Sequence, residues 1–600
     1  MTQLTALAVE TARGSALASW RPVWVFSAVL VAIIAALAAS GRRSEGPLLD
    51  RIVLRVPRRL ERLTGVPGWA ASTLLLSIYG LAFAGYGFYT DVAYHVTYGR
   101  DDVLFTAPHT AIFAGLVIIA SAPLAGILVA TQERVDTPLR WGGLRVPWST
   151  IPLGVLGIAA VTGFPVDELW HQQYGVDVTM WSPPHLVMIL AASFSGLASW
   201  LVLVDAGVRP GRGTTPAHRR WARGLHVVAA ALTLQGLSSV QGEFSFGVPQ
   251  WQQLYHPVLV CLAAGFALLA IRLVHGPWWA LGIATGIFLF GVGDVLGDSS
   301  GPVETRPGAV YLGSAVIVEV LARLLGTQRR LRLALAAGLG IATGGLAVEW
   351  MWNQGAHQPW TTALLPDALL VGALAAVSAA VLGAAVGGAL SEEAARRRIP
   401  AAAVGFALVG VLVALAIPAP RPVGDVTAEV TLDWVDDERA VVSVRLDPAD
   451  AAEDARWFTA GSWQWGGRTI AHMERVGPGE YRAPEALQLT GGAKSLLRLH
   501  RGAEMMAVPI RLPADEEYGL DEIPAEDRTA PFVREQQFLQ REAEGEMGAF
   551  AVAVLAMVAV LGTAWVVTLG LAARAVARRQ EGGGSSVENQ SSPVPSGSPV

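Results

Sequence analysis

Charge is scarce in this chain, cysteine and lysine are nearly absent, and each shortage excludes something. Of 600 residues only 16% are charged while 52% are hydrophobic, whereas about a quarter of a soluble globular chain is charged. Much of this chain is therefore expected in lipid rather than water. The single cysteine, Cys261, lies in an apolar run, which excludes an intramolecular disulfide, a zinc-finger-type site and a CxxC redox pair. Lys494 is the one lysine, and the net charge of -5 offers no basic surface for nucleic acid.

What is abundant is apolar sequence. A bilayer core takes roughly 20 apolar residues per helix. Such runs recur near 22–40, 68–90, 109–130, 150–169, 185–204, 224–242, 256–274, 278–296, 309–326, 332–351, 367–390, 401–418 and 548–571. They predict an all-α polytopic membrane protein of about thirteen transmembrane helices in repeated hairpins. Arginine sets the orientation, because cytoplasmic connections are enriched in it. It gathers after the first run (Arg42, Arg43, Arg51, Arg55, Arg58, Arg59, Arg62) and then in every second connection: Arg134, Arg140 and Arg145; Arg209 to Arg223; Arg272; Arg323 to Arg332; Arg396 to Arg398; Arg574 to Arg579. The intervening connections carry Asp, Glu, His, Trp and Tyr. Thirteen spans in the cell membrane with the N-terminus outside satisfy this pattern. A signal peptide cleaved near ALAAS (36–40) is the competing reading of the first run. It would strand seven arginines outside, so an uncleaved helix is preferred.

The expected division is a short outer N-terminus (1–21), a twelve-helix membrane domain (22–419), an extracytoplasmic antiparallel β-sandwich (420–523), a charged helical lead-in (524–546), a last transmembrane helix (547–573) and a disordered cytoplasmic tail (574–600). The sandwich is read from alternation in AEVTLDWV (428–435) and AVVSVRLDP (440–448), with AVPIRLP (507–513) behind them. The tail is rich in Gly, Ser and Pro.

The outward connections repeat. DVAYHVTYGRDDVLFTAPH spans 91–109 and DELWHQQYGVDVTMWSPPH spans 167–185. Each has an acid, a histidine four residues on and a second histidine fourteen after that. Tyr-Gly (98–99, 174–175) and Pro-His (108–109, 184–185) recur at matching places. The two acids are 76 positions apart, and a further 76 leads to Glu243, followed by His256 after a shorter connection. A diverged echo holds Glu349, Asn353 and Asp367 at the same four-and-fourteen spacing. On a helix, residues i and i+4 share a face, so Asp91 and His95 can point into one space, as can Asp167 and His171. His109 and His185 open the returning helices at the same depth. One carboxylate and two imidazoles suit copper, zinc or iron, with Asp101, Asp102 or Asp177 available to orient a ring nitrogen. A lone acid or histidine at an outer helix end is ordinarily just solvated, and Trp170, Tyr174 and Trp181 are ordinary interfacial aromatics. Duplication of the whole triad is what favours metal ligation, since ionisable groups at membrane depth are costly and tend to be functional. Glu243, His256, Glu349 and Asp367 are weaker candidates, with proton handling or internal hydrogen bonding as their alternative.

The second repeat resembles a stretch of the C subunit of particulate methane and ammonia monooxygenases. That family has Asp-x-x-Trp-His-Gln, a further Asp, then Thr-Pro-Ser-His and an apolar helix. The matching residues are Asp167, Trp170, His171, Gln172, Asp177, Ser182, Pro183 and His185; the first repeat shares Arg100-Asp101, Phe105-Thr106, His109 and AIFAG. The resemblance implies copper ligands at Asp167, His171 and His185 and, by repetition, at Asp91, His95 and His109. Both repeats have one residue more between the histidines than the family pattern, and this chain is far longer. The outer domain resembles small Ig- or cupredoxin-like modules of bacterial copper-handling proteins, but without a cysteine it cannot hold a blue-copper site. His472-Met473, His500 and Met505-Met506 are soft enough for Cu(I), although such residues more often belong to surface or core.

The expectation is thus a copper-binding membrane protein, other divalent metals being the alternative. It would resemble a copper-dependent monooxygenase subunit and work with partner subunits in the lipid bilayer. A copper or divalent-metal transporter or capture factor is the rival from another class, and a non-catalytic scaffold the third.

Overall fold

The computed structural model describes residues 54–588 apart from 100–105, 138, 176–178, 248–251, 297–306, 357, 392–398, 419–423, 465–466, 502–503 and 544–547. The expected first span, 22–40, lies outside the described residues. Each of the other expected spans is helical. Among the described residues eight helices are long and apolar enough to cross a membrane: Gly68–Tyr98, Ala107–Gln132, Thr150–Tyr174, Pro183–Asp205, Tyr255–His275, Arg330–Asn353, Thr362–Leu390 and Ala549–Arg578. Four others fall short of that measure. Pro216–Ser239 opens on His218, Arg219, Arg220 and Arg223, which dilute its apolar run, Leu312–Leu325 and Ala401–Ala416 are brief, and Trp279–Leu296 is described in full only as far as Val292. Arg272, which helped to set the expected orientation, is buried in an ion pair with Glu319 at 2.8 Å. It serves helix packing rather than a solvated connection.

Helices in lipid gain little from hydrophobic exclusion and depend on close backbone approach. The first described hairpin, Gly68–Tyr98 against Ala107–Gln132, shows this: a Cβ on Gly87 would lie 2.6 Å from the Ile112 amide nitrogen. The last helix extends to Glu588, past the expected boundary at 573. The stretch LAARAVARR is rich in strong helix formers and carries the helix on after the apolar run ends.

Between the membrane helices lies a β-domain of two antiparallel sheets. One runs Val533–Arg534, Glu504–Arg511, Lys494–Arg501, Ala455–Trp463, Arg468–His472; the other runs Arg528–Pro531, Thr427–Trp434, Arg439–Asp447, Glu480–Arg482, Glu474–Gly477. Alternation puts Val430, Val442, Val444, Leu446, Phe458, Leu497, Leu499, Met506 and Val508 into the core, as the period-two pattern demands. The region expected as a helical lead-in, 524–546, departs from expectation. It supplies one edge strand to each sheet and a single helical turn, Gln536–Leu539. Its charged residues are consumed by pairing. Asp527 accepts from the Leu432 amide at 2.8 Å, and Glu535, fully buried, takes a two-point bond from Arg498 at 2.8 and 3.0 Å. Phe532 enters the core.

Of the soft residues in this domain, His472 is exposed, while His500 lies with Trp457 and Met505 across neighbouring strands. His500 is buried with neither ring nitrogen hydrogen-bonded, and burial pushes its imidazole down to about 3. The unfolded chain therefore binds more protons than the folded one below about pH 6.5, so domain stability falls as the pH drops from there, by up to about 1.4 kcal/mol per pH unit. Hydrogen exchange of Ala455–Trp463 and Lys494–Arg501, corrected for intrinsic rates, should lose protection between about pH 6.5 and 5. That loss should be much reduced in His500→Phe.

Candidate metal centres at one end of the helical bundle

Local sequence explains why the histidines meet. The helix Gly68–Tyr98 stops at Gly99 and Thr150–Tyr174 stops at Gly175, with φ of 95° and 80°. There the glycine N–H closes onto His95 O (3.2 Å) or His171 O (3.0 Å). The repeated Tyr-Gly is thus a helix stop in a backbone region that glycine adopts freely. Each returning helix opens on a hydroxyl cap with proline in its first turn. Thr106 accepts from the His109 amide at 3.4 Å and Ser182 from the His185 amide at 3.3 Å. Such a cap contributes about 1 kcal/mol and fixes each histidine at the third helical position.

Antiparallel packing then closes the triads. In the first, Asp91 Oδ1 lies 3.6 Å from His95 Nε2 and 3.2 Å from His109 Nε2. In the second, Asp167 Oδ1 lies 3.8 Å from His171 Nε2, and Asp167 Oδ2 lies 3.2 Å from His185 Nε2. Within each triad one donor atom per residue falls inside a 4.8 Å spread. Metal–ligand bonds of roughly 2.0–2.1 Å in tetrahedral geometry imply ligand–ligand separations of about 3.3 Å, so small side-chain shifts suffice.

The hydrogen bonds favour a cation at both places. His185 Nδ1 lies 2.9 Å from Thr179 O, and His95 Nδ1 lies 3.0 Å from Gly99 O. A carbonyl oxygen only accepts, so Nδ1 carries the proton in each ring and a neutral imidazole turns its Nε2 lone pair toward the carboxylate. In the second triad Asp167 Oδ1 and His171 Nε2 are moreover buried without a hydrogen-bond partner. Lone pairs that converge in this way repel unless a positive charge, from a metal or added protons, stands between them.

The triads are neighbours. The His109 ring meets Phe164 edge-on at 6.5 Å, and Phe164 lies one turn before Asp167. The β-domain sits on the same end. The Gln464 amide N–H donates to Val96 O at 3.0 Å and its side chain to His95 O at 3.4 Å. Arg468 donates to Phe246 O, and Gly175 bridges to Ala543. Trp170 and Tyr174 are buried against the last helix rather than lying in an interfacial belt, and the Tyr174 hydroxyl accepts from the Ala551 amide at 3.0 Å.

The four weaker candidates have other surroundings. Among the described residues neither pair belongs to a cluster of three metal-ligating groups. Glu243 Oε1 accepts from Thr179 Oγ1 at 2.6 Å and from the Met180 amide at 3.1 Å. His256 accepts at Nδ1 from Trp360 (3.1 Å), donates from Nε2 to Gly308 O (3.0 Å) and stacks on Phe244. Both its nitrogens are thus engaged. The Glu349 carboxylate accepts from the Val310 and Tyr311 amides at 2.8 and 2.6 Å, so it caps the helix Leu312–Leu325. Asp367 is half-buried in the first turn of Leu365–Leu390. Asp101, Asp102 and Asp177 lie outside the described residues. Thr179 and Gln464 were not anticipated: one sits in a loop and the other in the β-domain, and no periodic signal marks either.

No family model, curated protein or solved structure matches the chain. The monooxygenase likeness therefore rests on the short motifs alone, and the chemistry has to be argued from the triads.

A Cβ on Gly175 would collide with the Glu542 carbonyl oxygen, in a φ region where side chains are strained. Gly175→Ala should weaken the seat of the segment before the last helix by about 1–3 kcal/mol. Faster hydrogen exchange at 540–543, with the β-sandwich core unchanged, is the expected signature.

Proposed function

We propose that this chain is an integral membrane metal-binding protein that holds copper at Asp91/His95/His109 and at Asp167/His171/His185. The observation that carries the reading is the duplicated convergence of two imidazole Nε2 atoms on a buried carboxylate. Two imidazoles with one carboxylate suit Cu, Zn or Fe. Copper is the preferred ion because of the motif likeness to the C subunit of copper membrane monooxygenases.

In the proposed orientation the triads and the β-domain face outward, the alternating arginines lie on the cytoplasmic side, and the chain works with other membrane subunits. As a monooxygenase component, the site would use copper to react with oxygen near apolar helices that admit a hydrophobic substrate. The alternative is metal capture for insertion or import. The placement of both triads at helix ends, rather than at mid-span, favours outer-face capture over a path through the bilayer.

Metal analysis of the purified full chain tests the reading. Copper content should fall by about half in His171→Ala/His185→Ala, fall similarly in His95→Ala/His109→Ala, and reach background when all four are changed, since each ion needs its full ligand set. Equal, near-zero metal in wild type and variants would remove both the enzyme and the capture readings. If copper is bound and lost as expected, oxygen-dependent turnover of alkanes or ammonia separates enzyme from carrier.

A further inference from the structure

We propose that Glu243 is a positioning residue for the second triad and acts on His185 through one peptide group; this rests on the metal-binding reading above. The peptide is Thr179–Met180. On one side its N–H donates to Glu243 Oε1 at 3.1 Å. On the other its C=O accepts from His185 Nδ1 at 2.9 Å. The same carboxylate oxygen takes the Thr179 hydroxyl at 2.6 Å, and that hydroxyl in turn accepts from the Trp181 amide at 3.2 Å. Glu243 and Thr179 are both buried, at 5% and 7% exposure.

Two consequences follow from this chain of bonds. A charge-assisted bond at the amide N–H polarises the peptide and strengthens its carbonyl as an acceptor. The carbonyl then holds His185 in the tautomer that leaves Nε2 free, 3.2 Å from Asp167, and makes that nitrogen a better donor to a cation. Carboxylates commonly support metal-bound histidines directly; in this chain the support is relayed through an amide. In the first triad the Gly99 carbonyl, at the end of the same helix, accepts from His95 Nδ1. Glu243 thereby strengthens the second triad's hold on a cation.

The position of Glu243 is secured independently of any metal. It lies on the single turn Gly242–Ser245, beyond the end of Pro216–Ser239. Gly242 lies against Met180 and Phe88, and Phe246 packs on Val92, Ala93 and Val96 of the first triad's helix.

Glu243→Gln tests the proposal, because the amide oxygen can still accept from Thr179 and Met180 while the charge is lost. Cu(I) is titrated anaerobically into the full chain against a chromophoric chelator, in a His95→Ala background and in a His171→Ala background. The expected result is a weakening of roughly tenfold in the first background, where the second triad alone remains, and none in the second. In the metal-free protein, the 15N signals of His185 should shift from a protonated-Nδ1 pattern toward a mixed one. Unchanged affinity with an unchanged tautomer signature would overturn the proposal, as would equal loss in both backgrounds. If Cu(I) binds in neither background with Glu243 intact, the metal reading fails, and the tautomer signature still decides what Glu243 does.

Discussion

The structure depends on the approach of a helix end carrying a carboxylate to a helix start carrying a histidine. In both hairpins that approach leaves 3.2 Å between carboxylate oxygen and imidazole nitrogen. A carboxylate set among apolar helices is costly without a compensating charge. Among its neighbours, His95 and His185 turn their Nδ1 protons toward backbone carbonyls and leave Nε2 facing the carboxylate. A positive charge at the centre would offset that cost, and the repeated geometry supplies ligand types and spacings that a metal ion would accept. Glycine stops, hydroxyl caps and proline in the first turn all fix this one contact.

The β-domain and the turn Gln241–Phe246 extend the constraint. Gln464 holds the backbone of the first triad's helix end, and the segment around Ala543 holds the end of the second. Between them, Glu243 reaches the loop that precedes His185 while Phe246 packs on the helix that carries His95. The two triads are therefore seated by common neighbours, with Phe164 beside His109. Their inner ligands match in type and spacing.

Much of this was legible in the sequence because it is periodic. Spacing of four on a helix and a histidine just behind a Thr or Ser cap are local rules, and duplication made them stand out. The third copy differs for a physical reason. Its register gave Glu243 as an acid in the same role, but the preceding helix ends at Ser239, so Glu243 falls on a separate turn and faces the neighbouring loop. His256 and Glu349 carry the residue types of a site, yet both are engaged by hydrogen bonds to neighbouring helices and loops. The edge strands at 528–534 were hidden by charges that favour helix in isolation and pair across sheets in the fold. Eight of the expected spans have the length and composition to cross a membrane among the described residues; the shorter apolar helices and the one opened by arginines carry the same hydropathy signal over less chain or with more charge.

Where the metal sits is the most direct question to put to this account. Crystals of the copper-loaded full chain, measured at the copper absorption edge, would show it in an anomalous difference map. The account predicts two peaks, each about 2.0–2.2 Å from a pair of histidine Nε2 atoms and an aspartate oxygen, at Asp91/His95/His109 and at Asp167/His171/His185. Peaks elsewhere with both triads empty, or triads joined only by hydrogen bonds under saturating copper, would contradict it.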